Sequence, residues 1–240
     1  MDKLYIVIPA YNEEANIRQV IEEWYPIVEK YNGENKSRLV IIDDGSKDST
    51  YQIMQQCAKD KPLFLPLTKP NGGHGATVLY GYQYALDQGA DYIFQTDSDG
   101  QTLAEEFHQF WEERKEHDMI IGWRNSREDG ASRIFVTKVL KAVLKLCFGV
   151  TVTDANTPFR LMKSKTLEKY ISYIPEGFNL SNVIVSVIFA KADCDVKYIP
   201  ITFRPRQGGV NSINMKKIIK IGQQALKDFT EINKSLKNLK

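Results

Sequence analysis

Two carboxylates placed just past an apolar run can hold a divalent cation, and Asp97-Ser98-Asp99 follows the run Asp91 to Gln95 in this way. Hard oxygen ligands of this type suit Mg²⁺ or Mn²⁺ bridging phosphate oxygens. The same residues also make an ordinary strand-end turn, because Asp is a common turn residue. Asp43-Asp44-Gly45-Ser46 repeats the pattern after Arg38 to Ile42, as a turn with a helix cap or as a second ligand-binding edge. Asn71-Gly72-Gly73-His74-Gly75 can bring backbone N–H groups close to a phosphate at a helix start. It lacks the GxxxxGK[ST] spacing of a P-loop. Each motif alone carries little.

Their weight comes from the elements that must position them. Leu4 to Ile8 is an apolar run of strand length stopped by Pro9, and Arg38 to Ile42, Leu63 to Leu67 and Asp91 to Gln95 are three more. Between them, Glu13 to Val28 carries Ile17, Val20, Ile21, Trp24 and Ile27 at helical spacing. Asp48 and Ser49 can cap a helix running to about Lys59, and a further helix covers Ala76 to Asp87. Alternating strands and helices predict an α/β fold with a mostly parallel, Rossmann-like central sheet and helices on both faces. Such sheets bind ligands at the carboxyl ends of their strands. The loops after Ile8, Ile42 and Phe94 are therefore expected to converge on one edge. The second half is less regular: Asp118 to Gly122 reads as a strand, Arg133 to Phe148 as a helix, and Asp193 to Phe203 as one or two edge strands.

Composition narrows the classes. The 240 residues are long enough for one large α/β domain, and 32 Lys and Arg against 30 Asp and Glu leave a net charge of only +2. No global basic field argues for nucleic acid. Cys57, Cys147 and Cys194 have neither CxxC spacing nor a disulfide framework, which favours a reduced, cytoplasmic setting. The N-terminal apolar run is too short for a signal peptide, and no uninterrupted apolar stretch is long enough to span a bilayer. His74 sits in the glycine loop, where it can touch a phosphate. His108 and His117 fall in a polar helix, where solvation is expected, and the three are too scattered for a metal triad.

Taken together, Ile8-Pro9-Ala10-Tyr11-Asn12-Glu13, Asp43-Asp44-Gly45-Ser46-Lys47-Asp48-Ser49-Thr50, Asn71 to Gly75 and Asp97-Ser98-Asp99-Gly100-Gln101 resemble, in order and spacing, the family 2 glycosyltransferases of the GT-A fold. Ile121-Gly122-Trp123-Arg124, Asp154 to Leu161, and Phe203 through Arg206 to Ser212 resemble the polyprenyl-phosphate branch, that of the dolichyl-phosphate mannosyltransferases. The resemblance covers about residues 4 to 214, so a GT-A domain over 1–214 is expected, followed by a basic helix over 215–240. It implies an inverting, metal-dependent transferase that uses a GDP- or UDP-sugar. Pro9, Tyr11, Glu13, Ile42 and Asp44 would line the base and ribose pocket, with Asp97 and Ser98 also on the nucleotide-sugar. Asp99 and Gln101 would hold the metal on the diphosphate. Arg124 and Arg206 would bind phosphates, and Arg133, Thr137 and Arg160 would hold the lipid phosphate. Two departures stand out. The Arg206 loop has one residue inserted and lacks the lysine of the branch pattern, and Pro158 replaces the usual Gly before Phe159-Arg160.

Departure of a nucleoside diphosphate builds negative charge, which a metal and bidentate arginines stabilise in the transition state. A phosphate monoester acceptor, with a second pKa near 6, is ionised at neutral pH and needs no base. A saccharide hydroxyl, as in capsule or lipopolysaccharide assembly, would need one. Asp154 is the candidate for that role and equally a residue that orients the Phe159-Arg160 turn. A nucleotidyltransferase is disfavoured because no Gly-rich loop with Arg and Lys follows the first strand. A non-catalytic nucleotide-sugar binder is disfavoured by the retained Asp97, Asp99 and Arg124. Residues 215–240 carry a net charge of +5 with apolar residues at helical spacing, and Arg133 to Phe148 is apolar with Lys138, Lys141 and Lys145 to one side. Such helices pack on a core or lie on an anionic bilayer, and peripheral membrane contact is the expectation here.

Overall fold

The computed structural model of the chain describes residues 2–34, 36–124, 131–204, 224 and 228–236. Seven strands form one sheet in the order β3-β2-β1-β4-β6-β5-β7: β1 Leu4–Ala10, β2 Arg38–Asp43, β3 Phe64–Thr68, β4 Tyr92–Gln95, β5 Met119–Arg124, β6 Arg160–Lys163 and β7 Val196–Ile201. Only β6 runs antiparallel to its neighbours, so the sheet is mostly parallel. Every residue of β1 is buried. That is why it reads as a continuous apolar run, since helices cover both faces of such a sheet.

Alternation splits the strand residues between two layers. Leu4, Ile6 and Ile8 face α1 (Ile17–Lys30), α2 (Thr50–Cys57) and α4 (Phe107–Glu113). There Trp24, Phe94, Phe107, Phe110 and Phe159 form a cluster with ring centroids 4.7 to 6.4 Å apart. Tyr5 and Val7 face α3 (His74–Asp87), α5 (Ala131–Phe148), α6 (Ser164–Ile171) and α7 (Ser181–Lys191). Gly81 lets α3 lie close to the sheet, because a Cβ there would come within 2.4 Å of Val7 Cγ1 and 2.9 Å of Ile42 Cδ1. Phe229, Ile232 and Leu236 of the C-terminal segment are buried in this second layer, with Phe229 against Phe148 and Phe178. The apolar side chains among the described residues 228–236 are thus spent on the core.

Several elements differ from the sequence reading. β1 continues through Pro9 to Ala10. Val7 accepts from the Thr96 N–H on the β4 side, and two residues on, Pro9 faces the same side where β4 has already ended. Its missing N–H therefore costs no ladder bond. α3 begins at His74 and α1 at Ile17, after a turn in which the N–H groups of Asn16 and Ile17 donate to the Glu13 carbonyl. β6 and α7 were not legible. β6 is four residues long, and α7 (SNVIVSVIFAK) is β-branched and buried on nearly all sides, so it shows no amphipathic period. Among the described residues no helix is long and apolar enough to cross a membrane.

Candidate active site

Because β1, β2 and β4 are parallel neighbours, the loops that follow them meet at one edge of the sheet. The first two are knitted together. Asn12, at a left-handed φ of 53°, donates its N–H to the Ser46 hydroxyl oxygen and receives the Lys47 N–H on its side-chain oxygen. The Glu13 N–H donates to the Thr50 hydroxyl, and the Asp44 N–H to the Ala10 carbonyl. Asp48 caps the start of α2 by accepting from the Thr50 N–H, and it also receives the Glu14 N–H. Tyr11 is exposed at this rim, whereas Glu13 is buried and accepts from the Asn16 amide at 2.7 Å.

Asp44 is the hinge of the glycine loop. Its buried carboxylate receives the Lys69 ammonium and the N–H groups of Gly72 (2.9 Å) and Gly73 (2.8 Å). Burial opposes its ionisation, but Lys69, these two amides and the Thr77 hydroxyl outweigh burial and hold the carboxyl below its ordinary value. The amides of Gly72 and Gly73, expected to face a phosphate, are therefore turned onto Asp44. Gly75 is required for packing, since a Cβ there would meet the Phe178 carbonyl at 2.3 Å. Ile42, expected at the base pocket, is buried between the sheet and α3, and Pro9 is buried as well. Neither side chain offers an exposed surface to a ligand.

At the end of β4 the chain turns outward. Asp97 and Asp99 are partly exposed, while Ser98 between them is 5% exposed. The bend at 98–100 thus leaves both carboxylates open to solvent and buries Ser98 between them. Gly100, at φ 69°, completes the turn, and the Gln101 N–H donates to Asp99. The Gln101 amide reaches across to the Arg204 carbonyl at 2.9 Å, tying the turn to the segment after β7. His74, half-exposed at the start of α3, meets Asp97 at 2.9 Å. Burial pulls its pKa down, yet Asp97, Asp99 and Asp44 together raise it above the usual histidine range. Behind Asp97, buried Gln95 lies within 3.4 Å of its carboxylate and accepts from the Tyr82 hydroxyl, whose own pKa burial raises. The donor atoms that Asp97, Asp99 and Gln101 can offer are hard oxygens, the type Mg²⁺ and Mn²⁺ prefer.

Antiparallel β6 starts at this same edge, with Arg160 opposite Gln95 and Ile121. The segment 154–158 leading into it is therefore delivered beside the acidic turn, and Asp154 is 5% exposed there. Arg160 corrects an expectation: it is 0% exposed and bonded to core carbonyls, so its guanidinium faces no lipid phosphate. Arg124 ends β5 at the same edge, but its side chain lies outside the described residues, as do those of Arg133 and Thr137 in α5. Arg206 lies outside them altogether.

Sequence reasoning missed Lys69, Gln95 and Tyr82 as supports of the site. Only Lys69, next to the Pro70-Asn71-Gly72-Gly73 punctuation, carried a local signal. His108 and His117 are not simply solvated. His108 bonds the Tyr31 hydroxyl at 2.6 Å, and His117 bonds Asp195 at 2.8 Å. Glu113, Glu116 and His117 bring ligand atoms within 4.8 Å of one another. They precede β5, at the sheet edge opposite the Asp97 turn, and Glu113 is paired with Lys197.

The sheet order, with its acidic turn after the central strand and one reversed strand beside it, is the arrangement of a GT-A glycosyltransferase domain. Two solved folds superpose on it: glucosyl-3-phosphoglycerate synthase from Mycobacterium tuberculosis with Mn²⁺, UDP-glucose and phosphoglyceric acid, and TarS from S. aureus with UDP-GlcNAc. The first has a TM-score of 0.68 at 15% identity over 97% of this chain and 80% of that one. The second has a TM-score of 0.62 at 16% identity over 94% and 66%. Residues 5–171 match the model for glycosyl transferase family 2, and the chain belongs to that family. Among curated relatives, an undecaprenyl-phosphate 4-deoxy-4-formamido-L-arabinose transferase of Pseudomonas fluorescens is 24% identical over 70% of this chain and 48% of its own length. A UDP-N-acetylglucosamine–dolichyl-phosphate N-acetylglucosaminyltransferase of Methanococcus voltae is 28% identical over 70% and 72%. A dolichyl-phosphate β-glucosyltransferase of Trichomonas vaginalis is 32% identical over 52% and 41%. The chain spans about half the length of the arabinose transferase it matches.

Proposed function

We propose that this domain is an inverting, metal-dependent glycosyltransferase that moves a sugar from a GDP- or UDP-sugar to polyprenyl phosphate. The observation that carries this reading is the outward-facing Asp97 and Asp99 pair, backed by His74 and Gln95, in a chain of family 2. The names of the relatives support the acceptor class. Asp99 and Gln101 would hold Mg²⁺ or Mn²⁺, which supplies charge neutralisation on the departing diphosphate. Asp97 and Tyr11 are assigned to the nucleotide-sugar, with buried Glu13, Asp44 and Ser98 shaping the loops that carry them. Arg124 and Arg206 are assigned to phosphates of donor or acceptor, where a planar guanidinium matches two oxygens at once. Arg133 and Thr137 are assigned to the acceptor phosphate. That acceptor is ionised at neutral pH and attacks without losing a proton.

A saccharide hydroxyl is the second reading. It is favoured by a carboxylate, Asp154, lying buried at the same edge, where it would take the proton. Peripheral contact with the cytoplasmic face of a membrane is assigned to α5. Its Leu146 is 85% exposed and Val139 is also exposed, flanked by exposed Lys141 and Lys145. Salt-sensitive flotation with anionic liposomes, reduced in Leu146→Glu, would support this contact, and no flotation would remove it.

A thermal-shift panel of GDP-, UDP- and dTDP-sugars with and without Mn²⁺ tests the core reading. One donor giving a metal-dependent rise is the expected result, followed by transfer to polyprenyl phosphate. No rise with any donor would refute it.

A further inference from the structure

Arg160 is a charge the proposed chemistry does not touch, yet it lies among groups that chemistry uses. We propose that Arg160 is a positioning residue that braces the acceptor side of the site, fixing the Asp154-bearing segment against α7. This rests on the transferase reading above.

The argument begins with where the guanidinium spends its donors. Nε and Nη2 both donate to the Thr157 carbonyl, at 3.1 and 2.6 Å, and Nη2 also donates to the Ala155 carbonyl at 3.1 Å. Nη1 donates to the Asn182 carbonyl at 2.9 Å and to the Ser186 hydroxyl at 3.3 Å. The Ser186 hydroxyl in turn lies 2.9 Å from the Asn182 carbonyl and 3.2 Å from that of Ala155. One side chain thus joins 155–157 to the first two turns of α7 through neutral oxygens. A planar fork can hold several carbonyls in one fixed geometry, which a flexible ammonium does not.

A guanidinium at zero exposure is an expensive way to satisfy carbonyls, and buried ions replaced by apolar groups of similar volume are often neutral or stabilising. Local rules broken at such cost concentrate at functional sites. The charge itself has a place here. Burial lowers the Arg160 pKa, while Tyr82, Tyr198, Asp154 and Asp97 all favour its charged form. The ladder enforces this position, because Arg160 pairs with Gln95, which itself contacts Asp97.

The test uses the full chain and the variants Arg160→Met, Arg160→Lys and Ser186→Ala. Arg160→Met is expected to keep its donor affinity while kcat for transfer falls about 10²-fold, because the loosened 154–158 segment no longer holds the acceptor in place. Arg160→Lys keeps the charge but loses the fork and recovers only part of the rate. Ser186→Ala, which leaves the guanidinium in place, loses about tenfold, the equivalent of one hydrogen bond. Hydrogen exchange by mass spectrometry on peptides covering 154–158 should accelerate in Arg160→Met in the absence of any substrate. If Arg160→Met does not fold, Arg160→Lys and Ser186→Ala carry the same two readouts. Wild-type rates together with wild-type exchange would overturn the proposal, as would a loss shared equally by donor binding and transfer. If the wild-type protein transfers no sugar to polyprenyl phosphate, the functional reading fails. The exchange measurement then still decides whether Arg160 braces this segment.

Discussion

Replacing Asp44 with alanine removes the acceptor that holds the glycine loop to the end of β2. The substitution strands the Lys69 ammonium and two backbone N–H groups around a buried position. Removing one partner of a buried ion pair costs about 3–5 kcal/mol, mostly because the remaining charge loses its compensation. At about 2–4 °C per kcal/mol for a domain of this size, Tm should fall by roughly 6–20 °C. Asp44→Asn keeps one acceptor oxygen and should lose less. Urea denaturation across pH and salt is the assay. Asp44 is buried and Lys69 partly so, so most of the loss should persist at high salt, unlike that of a surface pair. The pH dependence has a definite sign. The folded carboxyl titrates below its unfolded value, so its contribution is fully present above about pH 4 and is lost as pH falls through the lower folded value. Asp44→Ala should therefore show a flatter stability profile below pH 4 than the wild type. A cost under about 1 kcal/mol would place Asp44 in the class of exposed pairs and refute the reasoning.

The His74 imidazole, raised by Asp97, Asp99 and Asp44 against the opposing effect of burial, should titrate by NMR above its usual range, and Asp97→Asn should lower that value. Its contribution to stability is fully present below about pH 6.5 and lost as pH rises through the folded value, so a His74 midpoint at or below the free value would refute the assignment. Asp154→Asn should leave transfer to polyprenyl phosphate within about tenfold of wild type, whereas a collapse of about 10³-fold would mean a hydroxyl acceptor and a base. Gly75→Ala drives a Cβ into the Phe178 carbonyl, and calorimetry should show a loss of at least about 1–3 kcal/mol from overpacking. A neutral result would mean that the 178–179 turn yields freely.

The residues of β1, β2 and β4 determined much of this protein without help. A buried parallel strand is largely apolar, so its end is marked by polar residues, here Tyr11-Asn12, Asp43-Asp44 and, past buried Gln95 and Thr96, Asp97. Parallel order then sends those ends to one edge, and the acidic turn could be placed before any coordinates. The helix α1 was legible for the complementary reason, that one face is buried and the other is wet. What the chain alone could not decide is which partner each polar group takes. Asp44 and the Gly72 and Gly73 amides are far enough apart in sequence that only the folded sheet turns them onto one another. Arg160 looks like a phosphate ligand until β6 pairs antiparallel with β4 and carries it into the core. The apolar pattern of the C-terminal segment is suited to a bilayer or to a core, and of its described residues Phe229, Ile232 and Leu236 are buried in the core. Local pattern reports burial and period, whereas hydrogen-bond and charge partners are long-range facts that exist only once the sheet has closed.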